Sequence, residues 1–178
     1  MLLVLGTAGC SGAGSDSDPA VGASSATTGT ETAGSETATE PIPPGPPVIA
    51  DGPCPYLDET YVEETVGQRM ARVETLTVEG QPAPDCVFYR PDETAAVSVD
   101  LTPYPDPVAA QNAALSLVTT AAMPITDLGD YGGVLVSPGR TLLAVTTGPL
   151  LVVVITNQES SLQAHEVAAA VLAALPSA

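Results

Sequence analysis

Large apolar side chains are almost missing from residues 11–51, and they return after residue 52 in short periodic blocks. Asp58 stands where a helix N-cap belongs. The residues after it predict about two turns through Val66, ended by Gly67. In that helix Glu59, Glu63 and Glu64 fall on the water side, and Tyr61, Val62, Thr65 and Val66 lie nearer a core. Residues 69–78 alternate, with Met70, Arg72, Glu74 and Leu76 on one side, which predicts a strand. A loop over 79–85 leads to a second strand over 86–90. A turn at Pro91-Asp92-Glu93 leads to a third over 95–101, with Val97, Val99 and Leu101 on one face.

Asp106 and Pro107 predict the next helix start, because proline at the first helical position loses no needed N–H. That helix reaches about Ala121, with Val108, Leu115, Val118 and Ala122 as its apolar stripe. A glycine-rich loop over 129–133 precedes a short strand, Val134-Leu135-Val136, and a turn at Ser137-Pro138-Gly139. Residues 141–147 and 150–156 then form a hairpin about Gly148-Pro149. Residues 150–155 are apolar without a break, so this strand is expected at the sheet centre, covered on both faces. Ser160 or Ser161 caps a last helix to about Leu175, with Ala164, Ala168, Val171, Leu172 and Leu175 inward. The order α-β-β-β-α-β-β-β-α, with short connections, predicts an α+β fold: a twisted antiparallel sheet with helices packed against it.

The boundary near residue 52 also divides composition. Residues 52–178 carry all five Tyr and the single Phe, enough chain for one domain of about 125 residues with one core. Residues 11–51 are Ser, Thr, Gly, Ala, Pro and acids, with almost no large apolar side chains. Such a stretch buries too little to offset its ordering entropy and is expected to be a disordered stalk, with a root-mean-square reach of roughly 35 Å. Its Pro41-Ile42-Pro43-Pro44 end is expected to be stiffer and polyproline-like.

The run Leu5-Gly6-Thr7-Ala8-Gly9-Cys10-Ser11 has the form of a bacterial lipobox. On that reading residues 1–9 are the end of a signal peptide, and the mature chain starts at Cys10. Acyl chains such as palmitate there anchor it to the extracytoplasmic face of the cell membrane. No Lys or Arg precedes Cys10, although a secretory leader has a basic start and about 7–15 apolar residues. A missing upstream segment is therefore expected. Residues 150–155 are far short of the ~20 needed to cross a bilayer.

Three cysteines occur, Cys10, Cys54 and Cys86. Lipidation of Cys10 leaves a pair, which an oxidising compartment allows to bridge. The rivals are a two-cysteine metal site, short of partners since His165 is the sole histidine, and a thiol nucleophile without an evident base. No metal or cofactor is expected.

Charge narrows the partners. Four Arg and no Lys face 21 acids, a net charge of −17. Six of the acids lie in residues 10–51, leaving the domain near −11. Such a field repels nucleic acid and direct contact with anionic headgroups. Arg69, Arg72 and Arg90 lie on or beside neighbouring strands. They either pair with acids such as Glu74 and Asp92 or form the one patch able to hold an anionic group or acidic partner. The acid pairs Glu63-Glu64 and Asp92-Glu93 read as solvated surface. His165 reads as a half-buried boundary residue, Gly129-Asp130-Tyr131-Gly132-Gly133 as a turn, and Asn157-Gln158 as a turn held by backbone bonds. No nucleophile elbow, HExxH, phosphate loop or dinucleotide fingerprint is present.

Four segments, Cys54-Pro55-Tyr56-Leu57, Gly67-Gln68-Arg69, Cys86-Val87-Phe88-Tyr89-Arg90-Pro91-Asp92 and Thr156-Asn157-Gln158, resemble in order and spacing the actinobacterial lipoproteins with domain of unknown function 2020. The resemblance covers most of residues 53–175. It implies an exported, lipid-anchored envelope protein with the paired cysteines bridged, and a fold similar to the Mog1/PsbP sandwiches. It implies no activity or catalytic residues. The function expected from all of this is a noncatalytic binding or adaptor domain, contacting an envelope protein or lipid. The alternatives are an envelope hydrolase using His165 and a purely structural subunit.

Overall fold

The computed structural model describes residues 46–118 and 121–175. The expected leader, the expected lipidation site Cys10 and the expected stalk through residue 45 lie outside the described residues. The described chain runs β1 (Val48–Asp51), α1 (Glu59–Val66), β2 (Arg72–Thr77), β3 (Asp85–Tyr89), β4 (Ala95–Pro103), α2 (Pro107–Leu117), β5 (Met123–Ile125), β6 (Tyr131–Ser137), β7 (Arg140–Thr147), β8 (Leu150–Thr156) and α3 (Ser161–Ala174).

All eight strands join one sheet in the order β1-β2-β3-β4-β8-β7-β6-β5. Every pairing is antiparallel. The fold is α+β, as the element order predicts. β8 sits inside the sheet, and Leu151, Val152, Val153 and Val154 are all buried. Side chains alternate across a strand, so Val152 and Val154 enter the core shared with α1 and α3, while Leu151 and Val153 pack with Ala114 of α2 and with Val118, which caps it. The α1–α3 core extends over β2, β3 and β4 through Val73, Phe88, Val97, Val99 and Leu101.

The helix starts follow the capping rule. Asp58 accepts from the Tyr61 N–H at 3.1 Å, Asp106 from Ala109 at 2.9 Å and Ser160 from Gln163 at 3.3 Å. Gly67, with φ 64°, ends α1 in the left-handed conformation that glycine adopts without a Cβ penalty.

Several expectations are corrected. β1 falls within residues assigned to the stalk, yet pairs with β2 from Val48↔Thr77 to Asp51↔Glu74. All four of its residues are exposed, so backbone pairing forms it without burying its apolar Val48 and Ile49. β2 starts at Arg72 rather than residue 69, leaving Arg69 and Met70 in the α1–β2 connection. β5 was not anticipated, being three residues long. Gly132 and Gly133 belong to β6 rather than to a loop. A Cβ on Gly133 would lie 3.2 Å from Val118 Cγ2, so a bare backbone here lets α2 approach the sheet.

The α2 stripe is also different. Val118 is buried as expected, but Val108 and Leu115 are 65% and 50% exposed, and Ala110 and Ala114 are buried in their place. Positions 110, 114 and 118 share a helix face as well, and their smaller side chains fit the close approach. In α3, Val167 joins Ala164, Ala168 and Val171 in the core, while Leu172 and Leu175 are only half-buried. Glu63 does not face water freely: its Oε1 accepts from the Met70 N–H at 2.6 Å and closes the turn after α1.

Cys54 and Cys86 form a disulfide with a Cα–Cα distance of 5.8 Å. It fastens the segment before α1 onto β3. Tyr56 Oη reinforces the link by donating to the Pro84 carbonyl at 2.9 Å. Burial, and then the negative charges of Asp85 and Asp100, push that phenol well above its usual range. The bridged residues are 32 apart, which corresponds to about 3–4 kcal/mol of stabilisation in the chain-entropy picture. The double variant Cys54→Ala, Cys86→Ala is expected to lose stability by that amount in urea unfolding. A loss below ~1 kcal/mol would contradict the clamp role.

Candidate functional site

Three chain reversals meet at one end of the sheet and enclose an open polar groove of about 550 Å³, lined by Gln68, Arg69, Arg90, Pro91 and Asn157. Gly67 turns the chain out of α1 and delivers Gln68 and Arg69. The β3–β4 hairpin delivers Arg90 and Pro91. The Arg90 N–H donates to the Thr94 carbonyl at 2.9 Å, and the Glu93 N–H to the Arg90 carbonyl at 3.0 Å. Asp92 Oδ1 accepts from both the hydroxyl and the amide of Thr94, at 2.6 and 3.1 Å. These bonds, the hydroxyl first, hold the Asp92 carboxyl below the usual range. The exit of β8 delivers Asn157, whose N–H donates to the Ala96 carbonyl at 2.9 Å.

Two of the groove's lining residues form an amide pair. Gln68 Nε2 donates to Asn157 Oδ1 at 2.8 Å, and Asn157 Nδ2 donates back to Gln68 Oε1 at 3.1 Å. Next to it Gln158 Nε2 donates to the Val66 carbonyl at 2.8 Å, tying the end of β8 to the last turn of α1. The Asn157-Gln158 turn therefore works through both side chains as well as the backbone.

The three arginines of the sequence patch separate into two roles. Arg72 is held on the sheet. It pairs with Glu74 at 2.8 Å, Asp51 at 3.0 Å and Glu93 at 3.4 Å, and lies 4.0 Å above the Tyr89 ring centre. Its hydrogen bonds to Glu74 and then to Asp51 raise its already high basicity further. Arg72 thus belongs to the scaffold. Arg90 lines the groove with one guanidinium edge on Asp92 at 2.7 Å. Arg69 lines the groove and is exposed, with no ion pair or hydrogen bond among the described residues.

A family model described as domain of unknown function (DUF2020) matches residues 40–176. The chain belongs to that family. No curated protein matches it. The groove of this DUF2020 domain is built from three of the four segments that carried the sequence resemblance: Gln68 and Arg69, Arg90 and Pro91, and Asn157. The fourth holds Tyr56 and Cys54, which the disulfide joins to Cys86 of the β3 segment.

Other features of the domain have simpler explanations. His165 Nε2 lies 3.3 Å from Asp127 Oδ1 in an open depression beside Ser161, with no hydrogen bond from His165 to Ser161 among the described residues. A second depression, about 800 Å³ and mainly apolar, runs between α2 and β5–β6 past Leu115, Met123 and Tyr131. Asp130 at its rim is occupied, accepting from the Gly148 N–H at 2.7 Å. Gly129 enters that turn at φ 65°, and a Cβ there would collide with the Thr146 carbonyl. Glycine is therefore required. Among the described residues no group of three or more His, Cys, Asp or Glu could hold a metal ion.

One pair of acids escaped sequence reading. Asp85 and Asp100 lie fifteen residues apart but meet one position beyond the Cys86↔Val99 pair of β3 and β4. Asp85 Oδ1 accepts from the Leu101 N–H at 2.7 Å, finishing the ladder where Pro84 interrupts it. Burial raises both carboxyls above their usual range, and Asp85 raises Asp100 further, against a smaller lowering by Arg140. A raised acid binds its proton more tightly when folded. Stability from Asp100 is therefore present at low pH and lost as pH climbs from the ordinary Asp range through the raised folded value. Asp100→Asn is expected to raise Tm at pH 7, with the gain shrinking as pH falls toward 4. A gain independent of pH, or a loss at pH 7, would contradict this.

Proposed function

We propose that this DUF2020 domain is a noncatalytic binding or adaptor module of the cell envelope, tethered by lipid on Cys10 and exposed on the extracytoplasmic face of the membrane. The observation that carries the reading is the groove: a guanidinium with no ion pair among the described residues, a second guanidinium and an ordered amide pair face one open space. Hydrogen-bonding groups held by a rigid frame, with room in front of them, suit recognition.

Three sequence features support the tether. The lipobox-like run ends at Cys10, the segment after it has stalk composition, and removal of Cys10 from the thiol count leaves the two cysteines that bridge. A domain near −11 is better held away from an anionic bilayer than laid upon it. An actinobacterial source fits the same reading. So does a likeness to the Mog1/PsbP sandwiches, supported by one antiparallel sheet with helices on both faces.

Expressed from its native locus in a lipoprotein-processing host, the parent chain is expected in the membrane fraction. Cys10→Ser is expected in the soluble extracytoplasmic fraction. Membrane retention of Cys10→Ser would remove the tether from the account. Affinity capture from solubilised native membranes is expected to bring down a reproducible partner or lipid that is lost with Arg69→Gln, Arg90→Gln. Capture unchanged by that double substitution would move binding elsewhere on the domain.

A further inference from the structure

We infer that the groove recognises a carboxylate flanked by an amide, the chemistry of a peptide C-terminus. This rests on the groove being the binding surface and specifies what it binds.

The charge inside the groove favours a monoanion. Arg90 is largely neutralised by Asp92 at 2.7 Å, while Arg69 has no acidic partner among the described residues. The local balance is therefore close to one positive charge, within a domain whose net charge is near −11. A phosphate dianion would bring a second negative charge into that field, and a carboxylate brings one. Guanidinium also matches a planar carboxylate with two parallel N–H donors.

The amide pair supplies the second half of the assignment. In their mutual dimer Gln68 and Asn157 each spend one N–H and one carbonyl lone pair. Each keeps one N–H and one acceptor position. A phosphate offers acceptors to the N–H groups and, as a dianion, nothing to the carbonyl oxygens. A peptide amide offers both a C=O and an N–H. A terminal carboxylate on Arg69, with the preceding amide against Gln68 and Asn157, uses donors and acceptors together.

The groove is also prepared for its ligand. Gly67, the Arg90–Thr94 hairpin bonds, the Asn157 bond to Ala96 and the Gln158 bond to Val66 fix its walls. Arg69 is the exposed element and can close on the ligand without breaking a bond within the described structure.

The test is a titration of the isotope-labelled full chain with acetyl-alanyl-alanine as the free acid, with its C-terminal amide, and with inorganic phosphate. The readout is the side-chain resonances of Gln68, Asn157 and Arg69. The free acid is expected to give saturable shifts at all three, with the amide at least about tenfold weaker, the order of one lost charge-assisted hydrogen bond. Arg69→Gln is expected to weaken the free acid by a similar factor and to leave the rest of the spectrum unchanged, since it breaks no contact among the described residues. Equal binding of acid and amide, phosphate binding in place of the peptide, or no shift at the groove would each overturn the carboxylate assignment. With partner capture still dependent on Arg69 and Arg90, such a failure removes only this assignment. With capture also insensitive, the groove itself is not the binding surface.

Discussion

Burial of β8 on both faces is the constraint from which the rest of the domain follows. Four consecutive apolar residues, Leu151 to Val154, must lose contact with water on both sides of the sheet. At about 1.5–3 kcal/mol for each fully buried side chain, exposing either face would cost a large part of a small domain's net stability. One face is met by α3, joined by α1, and the other by α2. The strand also joins the two halves of the sheet, pairing with β4 on one side and β7 on the other. The helix positions, the central place of β8 and the fixed ends of both hairpin sets derive from that single apolar run.

The site inherits its rigidity from the same strand. Asn157 and Gln158 follow directly on Thr156, the buried last residue of β8. Thr141 Oγ1 donates to the Gln158 carbonyl at 2.6 Å and accepts from the Ser160 N–H at 3.1 Å, so the exit turn is held by β7 before α3 begins. Gln158 then reaches α1, and Asn157 reaches Gln68. Two polar side chains at the end of an apolar strand thus convert core order into a positioned groove wall. The disulfide does the corresponding work at the other side, fastening the entry to α1 onto β3.

Helix caps, turns and the central strand were legible because their causes are local. Asp58, Asp106 and Ser160 each satisfy orphan amides a few residues away, and the 150–155 run shows its burial in composition alone. β1 and β5 were illegible because edge strands form by backbone pairing, with little burial to imprint on the sequence. Small side chains hid two further facts. Ala110 and Ala114 carry the α2 contact where larger neighbours suggested another face, and Gly132 and Gly133 make a strand where glycine suggested a loop. The arginine patch was partly legible. Rarity singled out Arg69, Arg72 and Arg90, but only register shows that Arg72 stands over Tyr89 amid three carboxylates. The Gln68–Asn157 pair spans 89 residues, and no local pattern announces it.

The most direct test of the account is whether the groove is the surface that contacts the proposed partner. A photo-crosslinking residue placed at position 91, on the groove rim, is compared with one at position 123, beside the apolar depression, in the full chain in intact cells. The account predicts specific adducts at 91 that disappear when Arg69→Gln is added, and none of comparable yield at 123. Adducts confined to 123, or adducts at 91 indifferent to Arg69, would contradict the groove as the binding surface.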